Sequence, residues 1–379
     1  MKGVTRMAAL IGAALVAFAC GGQLAGGNAS SSPGAPVTID LIATFSGQNS
    51  DLGNWLYNGV KLAVDQANAK GGINGRKLQI NKLDDQGQPT VGTDLATRAL
   101  ADKATMVYGS DLSTVTLAMI PILTGAQIPE ITSGQSPKIL QQGSKYIFLD
   151  STTSAVFDKT LADYLVQTKN LTSIAMITNN DAYGKGEHDS FLAELKALNV
   201  TPLIDKVVTP DQKDFTAVLT EIRGTNPKVL FVGAEEVETG LIAKQARSLG
   251  IMATFAGGAP MGTPTYFNTA GADVAEGTIM TSPYLSNNAN AKTRAFAAAY
   301  KAAYGQDPEF HGAKAYDGMT VFITAMRKTP NDLSGPKLIA AIRSITYEGL
   351  LGTFKYDDIG LGLHATQVGI IHNAAIQPV

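Results

Sequence analysis

The sequence predicts an α/β protein whose parallel sheets are covered by helices on both faces. Three observations carry that expectation. From Val37 onward, short apolar runs rich in β-branched residues alternate with helical patterns, the rhythm that parallel strands with helical crossovers impose. The rhythm restarts after about residue 155, as a second unit of similar design would. The length of 379 residues, 45% of them hydrophobic, supplies two cores of ordinary size.

The elements follow in order. "VTIDLIATFS" reads as a strand, and "NWLYNGVKLAVDQANAKGG" as an amphipathic helix with Leu56, Val60, Ala63, Val64 and Ala67 at helical spacing. Gly71 and Gly72 stop that helix. "KLQINKLDD" is a strand, "VGTDLATRALADK" a helix, "ATMVYGS" a strand, "TVTLAMIPILTGA" a helix carrying a proline, and "IPEITSG" a short strand. Beyond residue 155 come the helix "SAVFDKTLADYLVQT", the strand "SIAMITNN", the helix "GEHDSFLAELKAL", the strand "VTPLIDKVVT", the helix "FTAVLTEIRGT" and the strand "KVLFVGAEE". The helix "TGLIAKQARSLG" and the strands "ATFAGG" and "GTIMTSPYL" complete that series. The final third holds three helices, and "GTFKYDD…QVGIIH" reads as a closing antiparallel pair.

Charge and cysteine usage narrow the function classes. A formal net charge of -2, with no basic run, gives no footprint for nucleic acid or an anionic membrane surface. At the N-terminus, Lys2 and Arg6 precede the apolar stretch Met7–Ala19, which is too short for a membrane span. Cys20 ends it and is the single cysteine, followed by a Gly/Ser/Asn/Pro-rich segment. This resembles a bacterial lipoprotein signal (residues 1–20) with a flexible tether (21–36), which implies an exported protein lipid-anchored through Cys20. A plain cleaved signal peptide is the alternative.

Reaction chemistry is missing. His188, His311, His364 and His372 lack metal-ligand spacing and read as surface or internally satisfied residues. There is no nucleophile elbow and no phosphate-cradling loop, and "GGINGRKL" precedes a strand instead of opening a helix. Binding without catalysis, and without metal or cofactor, is the expectation. In open parallel sheets, ligands sit beyond the carboxyl ends of the strands. The loops there are small and hydroxyl-rich: "TFSGQNSDLG", "YGSDLSTVT", "TSGQSP", "NNDAYGKG" and "GAEEVETG".

"ANAKGGINGRKLQINKLDD" resembles a signature of the leucine/isoleucine/valine-binding protein family, the periplasmic receptors of branched-chain amino-acid ABC importers. "ATFSG", "MVYGSDLSTVT", "DAYGKG", "KQARSLGI", "AEGTIMTSPY", "YGQDPEF" and "AYDGM" follow in the family's order. The resemblance covers nearly all of residues 37–379. It implies the type I periplasmic binding fold, two doubly wound lobes joined by three hinge crossovers near residues 153, 284 and 346. Lobe 1 is then 37–153 with 285–345, and lobe 2 is 154–284 with 346–379. Rhythm alone suggests two consecutive units and a tail.

The resemblance also implies site residues. Ser113, in the loop after the third strand, takes the place of the serine that holds the ligand carboxylate; capping the following helix is its plainer role. Ser133, Gly134 and Gln135 form the next strand-end cradle, with backbone groups of Ser133 and Gly134 and the amide of Gln135 on offer. Tyr183 matches a tyrosine that reaches the ligand from the second lobe. The family's usual ammonium anchor is a Glu where this chain has Ala259, which leaves Glu235 and Glu236 as candidates; first-turn acids also stabilise a helix dipole with no ligand. Leu52 stands where a pocket aromatic is frequent, while Trp55 and Tyr57 read as packing. The expected function is a monomeric, non-enzymatic solute receptor that closes on an amino acid or related small carboxylate and docks on a membrane permease. The alternatives are an aromatic acid or an amide or urea compound as ligand, or a ligand sensor for a signalling partner.

Overall fold

The computed structural model describes residues 34–285, 290–373 and 375–379; the signal, Cys20 and most of the tether lie outside them. The first lobe runs β1 (Val37–Ala43), α1 (Ser50–Ala69), β2 (Leu78–Asp84), α2 (Pro89–Ala101), β3 (Met106–Tyr108), α3 (Ser113–Gly125), β4 (Glu130–Thr132) and β5 (Ile147–Leu149). The second runs α4 (Ser154–Asp163), β6 (Ile174–Asn179), α5 (Ala182–Ala197), β7 (Ile204–Val208), α6 (Thr216–Gly224), β8 (Val229–Gly233), α7 (Glu236–Ser248), β9 (Thr254–Gly257), α8 (Pro264–Ala270), α9 (Ala272–Ala275) and β10 (Ile279–Ser282). Then come α10 (Ala291–Tyr304), α11 (Phe310–Lys328), α12 (Gly335–Arg343), β11 (Tyr347–Glu348), β12 (Thr353–Phe354), β13 (Gln367–His372) and β14 (Ala375–Pro378).

Both sheets use one plan. The first has the order β2-β1-β3-β4-β5, all parallel; the second has β7-β6-β8-β9-β10, also parallel, extended by antiparallel β13 and β14. Strand order reverses between β1 and β3 in one lobe and between β6 and β8 in the other. Loops leave such points in opposite directions and open a crevice at the strands' carboxyl ends. The alternation of side chains fills both faces of each sheet. On β8, Leu230 and Val232 enter one core while Val229 and Phe231 enter the other. On β1, Val37, Ile39, Leu41 and Ala43 join the large first-lobe core, and Ile42 joins the cluster under α2 and α3.

The glycine-rich motif is a helix stop and a turn. Gly72 N–H donates to Ala67 O at 2.9 Å, and Ile73 and Arg76 then form an isolated bridge that delivers the chain into β2. Gly72 has φ +67°, and a Cβ there would lie 2.0 Å from Arg76 O, so a side chain is excluded both by conformation and by space.

Two expectations change in the last third. The closing strands do not pair with each other: β12 pairs antiparallel with β11, and β13 with β10 and β14. The stretch from Tyr347 to Leu363 also packs with the first lobe, and only β13 and β14 join the second sheet. Leu351, Phe354, Tyr356 and Leu363 are buried in the core built on β1, α1 and α11, Leu149 N–H donates to Gly360 O at 3.0 Å, and Tyr356 donates to Leu149 O at 2.7 Å.

Candidate functional site

The two switch points face each other across a small cavity. Its walls come from both lobes: Leu52, Asp111, Ser113, Ser133, Gln135, His311 and Lys314 on one side, Tyr183, Glu235, Glu236 and Pro260 on the other. Six of the seven residues expected at a ligand are therefore brought together. Gly134, the seventh, lies buried behind Ser133, where a Cβ would come within 2.8 Å of Ile139 Cδ1 and 3.1 Å of Ser113 Cα. The free space is only about 20 Å³, little more than the room one water needs. The lobes touch around it: Thr265 Oγ1 donates to Asp51 at 2.6 Å, and Ala182 N–H donates to Thr114 Oγ1 at 3.1 Å.

The lobe 1 wall is cross-linked by its own hydrogen bonds. Asp85, the second acid of the "DD" pair, accepts from Thr44 Oγ1 (2.9 Å), Ser110 Oγ (2.6 Å) and Gly87 N–H (2.8 Å), tying together the loops after β1, β2 and β3. Asp111 Oδ1 accepts from Thr44 N–H at 2.8 Å, while its Oδ2 is buried with no partner. Burial, then the neighbouring Asp85 charge, push the Asp111 carboxyl up to about 7.

Ser113 does not cap α3, whose N-cap is Leu112. Its Oγ accepts from the N–H groups of Gln135 (3.1 Å) and Ser136 (3.2 Å), fastening one strand-end loop to the next. Gly134 N–H donates to Thr132 Oγ1 (3.0 Å) and Ser133 N–H to Ser110 O (3.1 Å). Every N–H from 133 to 136 is thus consumed inside the protein. Ser133 Oγ donates to Asp150, and Ser133 O accepts from Lys314 Nζ at 2.9 Å. The cradle keeps its place, but its backbone donors are taken. What it can offer is the Ser113 O–H, the remaining Lys314 N–H donors and the Gln135 amide, for which no hydrogen bond is found among the described residues.

The lobe 2 wall is poor in partners. Asn179 Nδ2 (2.6 Å) and Asp211 N–H (2.5 Å) both donate to Glu238, which is therefore structural. Glu236 accepts from His311 Nε2 at 2.9 Å, a bond that crosses from α7 to α11; its Oε2 and His311 Nδ1 are buried without partners. Glu235 stands at the N-cap of α7 yet makes no capping bond. Burial comes first, then the charges of Asp181, Glu236, Glu238 and Asp111, in holding its carboxyl well above the usual range. Burial and nearby acids likewise push the Tyr183 phenol far up.

Asp111, His311, Lys314 and Pro260 were not among the expected site residues. A signal existed for His311 and Lys314: they lie three apart and so share one helix face, but α11 starts at Phe310, ahead of the expected helix. His311 is satisfied on one nitrogen, as expected, and stacks on Trp55 with ring centroids 5.7 Å apart. Tyr57 packs on Phe45, and Ala259 is buried and not among the residues that line this cavity, although its neighbour Pro260 is. Among the described residues, no group of three or more His, Cys, Asp or Glu is placed to hold a metal.

Comparison with known proteins agrees with this architecture. The family model for periplasmic binding proteins matches residues 36–367. The Leu/Ile/Val-binding protein BraC3 of Rhizobium johnstonii is 31% identical over 248 residues, 65% of this chain and 67% of that protein. The crystal structure of the branched-chain amino acid transporter substrate binding protein LivJ from Streptococcus pneumoniae, in complex with isoleucine, superposes with TM-score 0.84 at 24% identity, covering 91% of this chain and 99% of that one. An ABC-transporter solute binding protein from R. palustris in complex with benzoate also gives TM-score 0.84, at 19% identity, covering 91% and 95%. This chain belongs to the periplasmic binding protein family, a family of solute receptors and not of enzymes.

Proposed function

We propose that this protein is the extracytoplasmic solute receptor of an ABC importer. It takes an amino acid or related small carboxylate between its lobes and presents the closed form to a membrane permease. The observation that supports this best is the cavity at the two facing switch points, lined from both lobes by polar groups, of which Asp111, Glu236 and His311 each keep an unpartnered atom. A solute touching both walls favours the closed state by exactly the differential contact it makes there, which is how binding becomes hinge closure. In this reading the Ser113 hydroxyl, the Gln135 amide and Lys314 take the carboxylate, and Glu235 and Glu236 take the ammonium. Tyr183 closes over the solute from lobe 2.

Lobe 1 comprises residues 37–153 and 285–363, and lobe 2 residues 154–284 and 364–379; packing of Leu351, Phe354, Tyr356 and Leu363 on the first core supports a third crossover after Leu363. The mature chain is a monomer tethered to the outer face of the cell membrane through a lipid on Cys20. No described helix is long and apolar enough to cross a membrane. A second reading, an aromatic acid as ligand, is favoured by the benzoate-bound neighbour. Thermal-shift screening of the purified mature protein with α-amino acids, benzoates, urea and small amides separates the readings. A rise in Tm with an amino acid, lost in Ser113→Ala together with Gln135→Ala, is the expected result. A response only to benzoates or ureas contradicts it.

A further inference from the structure

The charges lining the cleft do not balance. Among the described residues, three acidic and two basic side chains line the cavity, Asp111, Glu235, Glu236, His311 and Lys314, with the Tyr183 phenol beside them. His311 is bonded to Glu236. Lys314 lies over the Phe310 ring and acts electrostatically on the buried Asp150 carboxylate, which also accepts from Tyr108 at 2.9 Å. Asp111 and Glu235 are left over. They come from opposite lobes, both are buried, Asp111 Oδ2 has no partner, and among the described residues neither forms an ion pair. A buried carboxylate without a counter-charge is costly. A second, independent observation concerns the walls: among the described residues, Leu52 and Pro260 are the only aliphatic members of the lining. A branched hydrocarbon side chain would find little apolar surface to bury against.

We propose that the solute is a compact cationic amino acid, whose positive side-chain nitrogen is clasped between Asp111 of lobe 1 and Glu235 of lobe 2. This rests on the receptor reading above and deepens it. A neutral amino acid brings one ammonium, which the unpartnered Oε2 of Glu236 accommodates, and Asp111 and Glu235 stay without a counter-charge. A diamino or guanidino acid supplies the second cation, so its charge cancels the repulsion that opposes closure and joins the lobes at the same time. Charge-assisted bonds to both acids are the strong kind. Burial of an acid alone is not the argument: Asp158 of α4 and Glu187 of α5 are buried too, but neither is among the residues that line the cleft.

The test is calorimetric titration of the mature protein at pH 7.5 with L-ornithine, L-lysine, L-arginine, L-leucine and benzoate, using wild type, Asp111→Asn and Glu235→Gln. Both substitutions are isosteric, and the Tm of each ligand-free variant reports its folding. At least one cationic amino acid binds at least about ten-fold tighter than L-leucine, and each acid variant weakens it on the order of 30-fold or more while narrowing the preference over leucine. Tighter binding of L-leucine or benzoate, abolished by Ser113→Ala, overturns the charge assignment and leaves the receptor reading standing. Cationic binding that both acid variants retain in full also overturns it. Absence of heat with every probe overturns the assignment and counts against the cleft itself.

Discussion

On the lobe 1 side of the cleft, Ser113 fastens two neighbouring loops, Asp85 gathers three strand ends, and Lys314 holds the carbonyl of Ser133. On the lobe 2 side, the Glu235 side chain makes no capping bond and Glu236 reaches across to His311 of the other lobe. One wall is held in shape before any solute arrives; the other brings charge that only a partner can satisfy. The difference teaches a division of labour. Lobe 1 sets geometry by spending its polar groups on itself, and lobe 2 supplies the electrostatic incentive to close.

Substitutions should therefore act oppositely on the two walls. The largest effect is expected from Lys314→Met, which leaves the buried Ser133 carbonyl without its charged donor; urea unfolding should show a loss of about 2–3 kcal/mol. Next comes Ser113→Ala. It strips the acceptor from two buried N–H groups, and ligand-free stability should fall by about 2 kcal/mol or more. An effect confined to binding would show that the cradle is not held by this hydroxyl.

The third prediction concerns pH. Burial and the Asp85 charge hold the Asp111 carboxyl at about 7 in the folded protein, against its ordinary value of 3.8. Between those limits the native state holds a proton that the unfolded chain has lost, so stability is full below 3.8 and is lost as pH rises through 7. Asp85 and Glu235 face Asp111 with like charge, and Lys314 and His311 share its cavity. Asp111→Asn removes this slope. In unfolding titrations from pH 4 to 8, wild type should lose on the order of 1 kcal/mol or more relative to the variant, part of the shift being relieved by opening. The smallest effect is a predicted near-zero: Glu235→Gln should leave ligand-free stability unchanged within about 0.5 kcal/mol or raise it, because the amide carries no charge to bury. A loss of several kcal/mol would place Glu235 among the structural groups, with Glu238.

Much of this was legible in the chain. Strand and helix periods located the two sheets because apolar alternation is local, and the hydroxyl-rich loops at strand ends pointed to the crevice. Ser113, Gln135, Tyr183, Glu235 and Glu236 lie in such loops, and it was the family resemblance that singled them out as ligand candidates. What stayed hidden depends on distant pairing. That the N–H groups of 133–136 are already consumed follows from Ser113, Thr132 and Ser110, and no spacing reveals it. His311 and Lys314 arrive from a helix in the last third, which only the return of the chain to lobe 1 brings to the cavity. The same return explains Leu351 to Leu363, whose short apolar runs do not say which core they enter.

Small-angle X-ray scattering of the mature protein, with and without saturating L-ornithine and L-arginine, tests the central claim most directly. The account predicts compaction in wild type with at least one of them, and none in the Asp111→Asn, Glu235→Gln double variant at the same concentration. Equal compaction in both proteins, or none in either, would contradict the view that a cation held between two opposing carboxylates shuts the cleft.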